Sequence, residues 1–491
     1  MANPATPTDF GFHFANSYLQ LPAAFYQKQA PSPVKHPTIV VFNQALAKEL
    51  GLNAAALKNQ GAAYLAGNAL FAGAEPIAQA YAGHQFGHFT RLGDGRAILL
   101  GEHLTPNQQR FDIQLKGAGR TAYSRSGDGR AALGPMLREY LISTAMHALG
   151  VPSTLSLAVT TSAEPVYRDV AYPGAILTRV AASHLRVGMF QFAAAEQNPP
   201  LLKALADYGI ARHFPDSHLH AQPYLALLDA VINRQAQLIA KWMHIGFIHG
   251  VMNTDNMSIC GETIDYGPCA FINRYHRDAV FSSIDEDGRY AYGNQPPMAL
   301  WNLTRLAETL LPLIDANQEH AIELARASLE NFNNLYGHYW LSGMRKKLGL
   351  FNDEIDDQTL AVQLLQLMQN QQADYTQTFL SLTSDAFKPS ALYQDVDFQY
   401  WLSLWRARLS RQAQSWEDSM QLMQSVNPTL IPRNHLVEDA LHAAVYAKDL
   451  SAFNALLAAV SQPYTAANAL DPYQKAPSAS FDQSYKTYCG T

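Results

Sequence analysis

The spacing of apolar residues changes partway along the chain, and this change limits the possible folds more than any other feature. The apolar residues Phe111, Ile113 and Leu115 alternate with polar ones, which is typical of a β-strand with one buried face. After Pro223, apolar residues recur every three or four positions until Gly246, which predicts a long helix. We therefore expect an α+β fold in which a sheet comes first and helices follow.

Further strand and helix signals surround this alternating segment. Strands are predicted over 96–102, 155–161 and 174–179, and a helix is predicted over 133–149, with Gly150 directly after it. The pattern from about residue 297 to 460 is mostly helical. We expect four parts: 1–80 as an N-terminal extension with a first helix, 81–190 as a small sheet-rich lobe, 191–463 as a large helical lobe with functional loops, and 464–491 as an extended tail.

Composition narrows the class of protein. The 491 residues include 35 Lys and Arg and 41 Asp and Glu, so the net charge is −6 and general binding to nucleic acid is not expected. The N-terminal segment lacks the pattern of a signal peptide, and no apolar run is long enough to cross a bilayer, so we expect a cytoplasmic protein with no membrane partner. The three cysteines are too few for a disulfide scaffold.

A lysine and a glutamate are the first candidates for function. Lys116 ends the alternating strand on its polar face, and Glu139 follows 23 residues later on the next predicted helix. A lysine in this setting can reach nucleotide phosphates while a helix carboxylate holds it in place. The alternative is an exposed lysine on an edge strand.

The residues after the long helix are the second candidates. A short hairpin is predicted over 257–264, with Asn256 at one end and Asp265 at the other. Amide and carboxylate oxygens are hard ligands that suit Mg²⁺. An Asn or Asp in a loop is usually only a turn residue, but the two on one hairpin behind a long helix are more specific.

The spacing from His249 to Asn256 matches the H-R-D-x-x-x-x-N catalytic loop of protein kinases, with one difference. The third position of that motif, which supplies the catalytic base in kinases, is Val251 here, and valine cannot accept a proton. The nearest carboxylate is that of Asp255. Either the chain is an inactive kinase, or the base has moved and the reaction has changed with it.

Arginines are concentrated in the predicted sheet region, near two Gly-Asp-Gly-Arg sequences at 93–96 and 127–130. One guanidinium group can donate to two phosphate oxygens at once, so together these residues favour a triphosphate site. Taken singly, each is more typical of a surface or ion-paired arginine. The set comprises Arg96, Arg125, Arg130, Arg179 and Arg186.

Several long motifs in this region resemble the selenoprotein O family. They read YAGHQFGHFTRLGDGRAILLGE, FDIQLKGAGRTAYSRSGDGRAALGPMLREYL, TRVAASHLRVG, HGVMNTDNMS and TIDYGP. The resemblance implies a protein-kinase-like bilobal fold and protein adenylyltransferase activity. It also implies an inverted ATP, with the γ-phosphate held inward and the α-phosphate facing the acceptor.

The resemblance also implies roles for individual residues. Lys116 corresponds to the phosphate-binding lysine and Glu139 to its partner, while Asp255 corresponds to the proposed base. Asn256 and Asp265 correspond to ligands of Mg²⁺, with Mn²⁺ as the alternative metal. The other nucleotide-contacting positions are Gly93, Gly95, Arg96, Asp128, Gly129, Arg179 and Arg186.

The expected reaction is therefore transfer of AMP from ATP to Ser, Thr or Tyr hydroxyl groups of proteins, with release of pyrophosphate. One alternative is an ordinary protein kinase, against which Val251 counts. The other is a non-catalytic ATP-binding scaffold, against which the presence of Asp255, Asn256 and Asp265 together counts.

A cysteine near the C-terminus, here Cys489, is also a feature of that family. Some members pair it with a cysteine in the activation segment, but that segment has none here (Ala279 to Ile284), and Cys269 is the nearest substitute. A regulatory disulfide and two independent thiols are both left open.

Overall fold

A nine-stranded antiparallel sheet dominates the first part of the chain in the computed structural model, which describes residues 9–384, 387, 390–465 and 471–488. Its strands are β1 (Tyr26–Lys28), β2 (Thr38–Phe42), β3 (Ile77–Gln85), β4 (His88–Gly93), β5 (Ala97–Leu104), β6 (Arg110–Lys116), β7 (Ala131–Ala132), β8 (Leu155–Tyr167) and β9 (Ala171–Ala181). The order is β1-β3-β5-β6-β9-β8-β2, with β4 paired to β3 and β7 to β9. A separate pair joins β10 (Phe247–Ile248) to β11 (Ala270–Phe271).

Helices make up most of the rest. Those before residue 250 are α1 (Gln44–Glu49), α2 (Ala54–Gln60), α3 (Ala62–Leu65), α4 (Leu133–Ala148), α5 (Val187–Ala195), α6 (Pro199–His213) and α7 (Pro223–His244). Those after it are α8 (Gln295–Ile314), α9 (Gln318–Lys347), α10 (Asp357–Asn370), α11 (Tyr375–Leu382), α12 (Ala391–Gln394), α13 (Val396–Leu409), α14 (Trp416–Val426), α15 (Asn434–His442), α16 (Ser451–Val460), α17 (Asp471–Gln474) and α18 (Ala479–Ser484). The expected order, a sheet followed by helices, is confirmed.

The apolar face of β6 is buried, as its alternation predicts. Ile113 and Leu115 belong to a buried cluster that also contains Leu46, Leu57 and Leu65, which come from α1, α2 and α3. The other face of the sheet carries α4. Strands β1 and β2 lie before residue 81, so the sheet takes in part of the segment expected to be an extension.

The polar face of β6 is buried too, which alternation does not reveal. Asp112, Gln114 and Lys116 are each no more than 5% exposed. Buried polar groups need partners, and these are supplied from far along the chain by residues such as Arg179 and Arg212. The polar side of this strand therefore faces other parts of the chain and not solvent.

Arg212 of α6 ties that helix to the sheet. Its guanidinium donates to Glu102 of β5 at 2.5 Å and to Asp112 of β6 at 2.8 Å. Asp112 also contacts His184, whose Nδ1 lies 2.9 Å from Oδ2. Because all of these side chains are nearly fully buried, removing the charge of Arg212 would leave Asp112 with His184 as its one ion-pair partner in the described part of the chain, which would destabilise the fold.

The prediction that residues 257–264 form a hairpin is wrong, because the two arms do not pair with each other. The turn forms, with the Gly261 N–H donating to the Ser258 carbonyl at 3.2 Å. However, Ser258 bridges to Arg186 and Thr263 bridges to Ser153, so the two arms pair with earlier segments and not with each other.

The tail is not simply extended, because it contains α17 and α18. Beyond α18, Thr487 forms a parallel bridge with Ser282 and its hydroxyl donates to the Pro268 carbonyl at 2.7 Å. The tail therefore contacts the segment that follows Asp265. Among the described residues, no helix is long and apolar enough to cross a membrane.

Lys347 offers a test of the packing of the helical part. It is 3% exposed, and its ammonium nitrogen lies 4.1 Å from the ring centroid of Phe379 and 5.4 Å from that of Tyr375. Burial lowers the pKa of Lys347 to about 7, below the value of about 10.4 for an unfolded chain. Its burial therefore costs stability in full below pH 7, and the loss shrinks as the pH rises towards 10.

We expect Lys347→Met to raise the free energy of unfolding by roughly 1–3 kcal/mol at pH 6, after allowance for the lost cation–π contacts. The gain over the unchanged chain should diminish by pH 9. Urea unfolding at both pH values measures it. A variant that is less stable than the unchanged chain at pH 6, or a gain in stability that grows with pH, would contradict the lowered pKa of Lys347.

Candidate active site

A cavity of about 310 Å³ lies where the sheet meets the loops after α7. This volume is within the usual range for small-molecule sites. The predicted site residues that line it are Gly95, Arg96, Lys116, Arg179, Arg186, Asp255, Asn256 and Asp265. Tyr81, Gln85, Phe86, Asp94, Ala97, Val251, Asn253, Ile264 and Ile284 line it as well.

Lys116 is held between two carboxylates. Its Nζ lies 2.7 Å from Oε2 of Glu139 on α4 and makes a short contact with Oδ1 of Asp265. Because β6 ends at Lys116 and α4 crosses the sheet beside it, the expected pair of strand lysine and helix carboxylate forms. Lys116 is only 5% exposed, so its charge faces the cavity and not bulk solvent.

Arg179 of β9 completes this ionic cluster. Its Nε lies 2.7 Å from Oε1 of Glu139 and its Nη2 lies 3.2 Å from Oδ1 of Asp265. Burial would raise the pKa of Asp265, but Lys116, Arg179 and Arg96 outweigh it and hold that pKa well below the usual value. The carboxylate is therefore ionised at neutral pH and can bind a cation.

Arg186 has one hydrogen-bond donor without an acceptor among the described residues. It is 5% exposed, its guanidinium carbon lies 4.6 Å from the Tyr81 ring centroid, and Nη2 lies 3.5 Å from Oδ1 of Asp94. Its Nε is buried with no hydrogen-bond partner among the described residues. An unpaired buried donor is costly, and an anionic ligand in the cavity would satisfy it. Arg96 also lines the cavity and, within the described part of the chain, forms no ion pair.

Asp255 is the remaining carboxylate of interest. It lies on a 3-10 turn (Thr254–Asn256), is 8% exposed, and its Oδ1 is buried with no hydrogen-bond partner among the described residues. Burial raises the pKa of Asp255 to about 6, whereas a bound divalent cation would lower it. A carboxylate with an unused oxygen and a near-neutral pKa is suited to accept a proton.

Asn256 has the orientation that a metal ligand needs. Its Nδ2 donates to the Val251 carbonyl at 3.1 Å, which leaves the amide oxygen for a cation. Within the residues that the structure describes, no group of three or more His, Cys, Asp or Glu side chains could hold a metal. The oxygens of Asn256 and Asp265 fit Mg²⁺ only as part of a set completed by water and substrate phosphates, which is how Mg²⁺ is commonly bound.

Four of the predicted site residues do not line the cavity, and one of them, Glu139, contacts Lys116, which does. Asp128 is ion-paired with Arg168 at 2.9 Å on the surface, and Gly129, at φ +67°, lies against Gly119. A Cβ added to Gly93 would lie 2.2 Å from the ring of Tyr123. Packing within the loop over 117–130 therefore accounts for Gly129, and packing of Tyr123 from that loop against the 93–95 turn accounts for Gly93.

The arginine set divides in the same way. Arg125 donates to the Arg91 carbonyl at 2.7 Å and Arg130 donates to the Ser32 carbonyl at 3.1 Å, both outside the cavity. Asp94, Tyr81 and Asn253 line the cavity but were not predicted. Asp94 could have been found, because it lies within the Gly-Asp-Gly-Arg sequence at 93–96.

Cys269 is fully buried, and burial raises the pKa of its thiol to about 12. This disfavours the thiolate that disulfide exchange requires. Cys489 lies outside the described residues, so a bond between the two cysteines stays a prediction.

Gly83 of β3 packs directly on Asp255. A Cβ at this position would lie 2.4 Å from Oδ1 of Asp255, closer than atoms can approach. We expect Gly83→Ala to displace the carboxylate and slow catalysis by about tenfold or more, because misplacement by ~1 Å can lose 10²-fold. Steady-state kinetics measures this against Gly337→Ala, where an added Cβ meets nothing within 4 Å. Equal rates for the two variants would show that Gly83 does not set the position of Asp255.

The chain is similar in sequence to a known protein family and to several named proteins. The chain matches the family model described as protein adenylyltransferase SelO over residues 10–461. It is 58% identical over 482 residues to the protein nucleotidyltransferase YdiU of Bacillus cytotoxicus, covering 98% of each chain. It is 55% identical to the protein of the same name in Geobacillus kaustophilus, over 98% of this chain and 100% of the relative. For that of Halalkalibacterium halodurans the identity is 56%, over 100% of this chain and 99% of the relative.

Proposed function

Because the chain belongs to the protein adenylyltransferase SelO family, we propose that it transfers AMP from ATP to Ser, Thr or Tyr hydroxyl groups of proteins. Membership identifies it as a protein nucleotidyltransferase, and the description of the family as protein adenylyltransferases implies ATP and proteins as substrates. The acceptor groups, the metal and the role of each residue are part of the proposal.

One observation carries the proposal: a carboxylate with one buried oxygen that has no hydrogen-bond partner among the described residues shares a cavity with buried cations. Asp255 lies in the same cavity as Lys116, Arg179 and Arg186. The cations suit the β- and γ-phosphates of ATP, and Asp255 suits the acceptor hydroxyl. This arrangement supports an ATP held with its γ-phosphate among the cations and its α-phosphate towards Asp255.

In the proposed reaction, Asp255 orients the acceptor hydroxyl and takes its proton. The hydroxyl oxygen then forms a bond to the α-phosphorus, and the bond from that phosphorus to the oxygen bridging to the β-phosphate breaks. Pyrophosphate leaves with the electron pair of that bond. Lys116, Arg179 and Arg186 stabilise the negative charge that develops on it, which is commonly the largest contribution to catalysis.

Asn256 and Asp265 would hold Mg²⁺, and Mn²⁺ is an alternative with the same ligand preference. A bound divalent ion neutralises phosphate charge and orients the substrate. Asp128 and Gly129 would contact the nucleotide only if the loop over 117–130 moved towards the cavity. Such a movement would break the ion pair between Asp128 and Arg168.

We also propose a protein-kinase-like arrangement of two lobes, a small sheet-rich lobe over 81–190 and a large helical lobe over 191–463. The order of a strand lysine, a helix glutamate, an asparagine after a long helix and a later aspartate is that of protein kinases. Phosphotransfer is disfavoured because Val251, at the position of the kinase base, lines the cavity and cannot accept a proton.

Mapping of the modified side chains tests the choice of acceptor. After incubation with ATP and Mg²⁺, tandem mass spectrometry of dephosphorylated casein and of the enzyme itself should find AMP on Ser, Thr or Tyr. The Asp255→Asn variant serves as the matched control and should give little adduct. Adducts confined to Lys or His would contradict the proposal, since a base such as Asp255 is needed for a hydroxyl but not for an unprotonated amine or imidazole.

A further inference from the structure

The side chain of Asn253 joins two separate segments to the loop that carries Asp255. Its Oδ1 accepts a hydrogen bond from the Phe86 N–H at 3.1 Å and another from the Tyr290 hydroxyl at 2.8 Å. Asn253 is 4% exposed and lines the cavity two residues before Asp255. A single oxygen atom is therefore the shared acceptor for donors from two elements.

The first donor belongs to the hairpin of β3 and β4. Its two-residue turn, Phe86-Gly87, has φ values of 49° and 89°, which is the geometry of a tight hairpin turn that holds a fixed backbone shape. A second bond, from the His84 N–H to Thr254 Oγ1 at 2.7 Å, lies beside the first. The hairpin thus contacts both residues that immediately precede Asp255.

The second donor belongs to the segment over 281–290, which follows the proposed metal ligand Asp265. Tyr290 is 1% exposed, its N–H donates to Oδ2 of Asp285 at 2.8 Å, and its ring lies 5.1 Å from that of Phe86. Burial raises the pKa of Tyr290 to about 12, so the hydroxyl stays protonated and able to donate. Ile284 of the same segment lines the cavity.

We propose that Asn253 and Tyr290 are positioning residues for Asp255. The Tyr290 hydroxyl acts through Asn253 to hold the loop that carries Asp255, here called the catalytic loop, against the β3–β4 hairpin in the arrangement that AMP transfer requires. The inference rests on the proposed role of Asp255 as the base. It makes catalysis depend on where the segment over 281–290 lies, because Tyr290 reaches the catalytic loop only when that segment is in place.

A double-mutant cycle tests this dependence. Transfer from α-labelled ATP, to dephosphorylated casein and to the enzyme itself, is measured for Tyr290→Phe, Asn253→Ala and the double variant. Tyr290→Phe keeps the ring and removes only the hydroxyl, so we expect kcat to fall about two- to tenfold, as for loss of one hydrogen bond. Asn253→Ala should lower kcat about tenfold or more, and neither change should alter the KM for ATP more than about threefold.

In the Asn253→Ala background, Tyr290→Phe should have no further effect, because its hydrogen-bond acceptor is already gone. The matched control is Tyr292→Phe. That hydroxyl donates to the backbone carbonyl of Met243 and not to the catalytic loop, so its loss should leave kcat unchanged.

Independent, multiplying effects of the two substitutions would overturn the inference, as would equal losses of kcat in Tyr290→Phe and Tyr292→Phe. If Asn253→Ala does not fold, the comparison of the two tyrosine variants decides alone. Failure of the base assignment is separable, because it would appear as normal transfer by Asp255→Asn whatever the cycle shows.

Discussion

Asp255→Asn is expected to bind ATP nearly as the unchanged enzyme does and to transfer AMP at least about 10²-fold more slowly, the usual contribution of a general base. Asparagine has the shape of aspartate but cannot take the proton of an acceptor hydroxyl. The carboxylate makes no ion pair within the described residues, and its Oδ1 has no hydrogen-bond partner among them. Its loss should therefore disturb the nucleotide site little.

Calorimetric ATP titration and α-label transfer, measured side by side, separate binding from catalysis. Lys116→Met is the comparison variant and should lose both, because it removes a charge proposed to bind phosphate and leaves Arg179 as the one remaining ion-pair partner of Glu139 and Asp265 among the described residues. If Asp255→Asn fails to bind ATP, Asp255 acts in nucleotide or metal binding. If it transfers normally, the reaction needs no base at this position.

Asp265→Asn is expected to abolish the effect of Mg²⁺ on ATP binding and to lower AMP transfer by about 10²-fold or more, since a metal ion supplies several kcal/mol of charge stabilisation. The carboxylate is held ionised by Lys116 and Arg179, which hold its pKa well below the usual value. An amide in its place keeps an oxygen but loses the charge that attracts the cation.

The measurement is ATP titration with and without Mg²⁺, together with the transfer rate over a range of Mg²⁺ concentrations. Glu330→Gln, which removes an exposed carboxylate from α9, controls for the change in net charge. Near-normal, Mg²⁺-dependent transfer by Asp265→Asn would show that Asp265 is not a metal ligand.

The elements that position the site follow from local patterns in the sequence. The alternation of Phe111, Ile113 and Leu115 predicted β6, and the pattern over 133–149 predicted α4 to within one residue at its end. The spacing of Lys116 and Glu139 then placed the lysine beside the glutamate, and the structure has them 2.7 Å apart. Each of these inferences depends on residues close together in the chain.

Long-range pairing was harder to predict. Alternation marked Asp112 as polar but could not show that Arg212, a hundred residues later, buries it by ion pairing. The arms over 257–264 look like a hairpin in isolation, yet Ser258 pairs with Arg186. Asn253 carries no local signal of its contact with Tyr290, because the two donors that meet it come from elements distant in sequence.

In the proposed reaction the cavity delivers the α-phosphate, and not the γ-phosphate, to a protein hydroxyl. Parallel reactions with α-labelled and γ-labelled ATP, followed by intact-protein mass spectrometry, test it directly. We expect label to enter protein only from α-labelled ATP, with a mass gain equal to that of AMP. Label from γ-labelled ATP with the mass gain of a phosphate would contradict it and would identify the chain as a kinase.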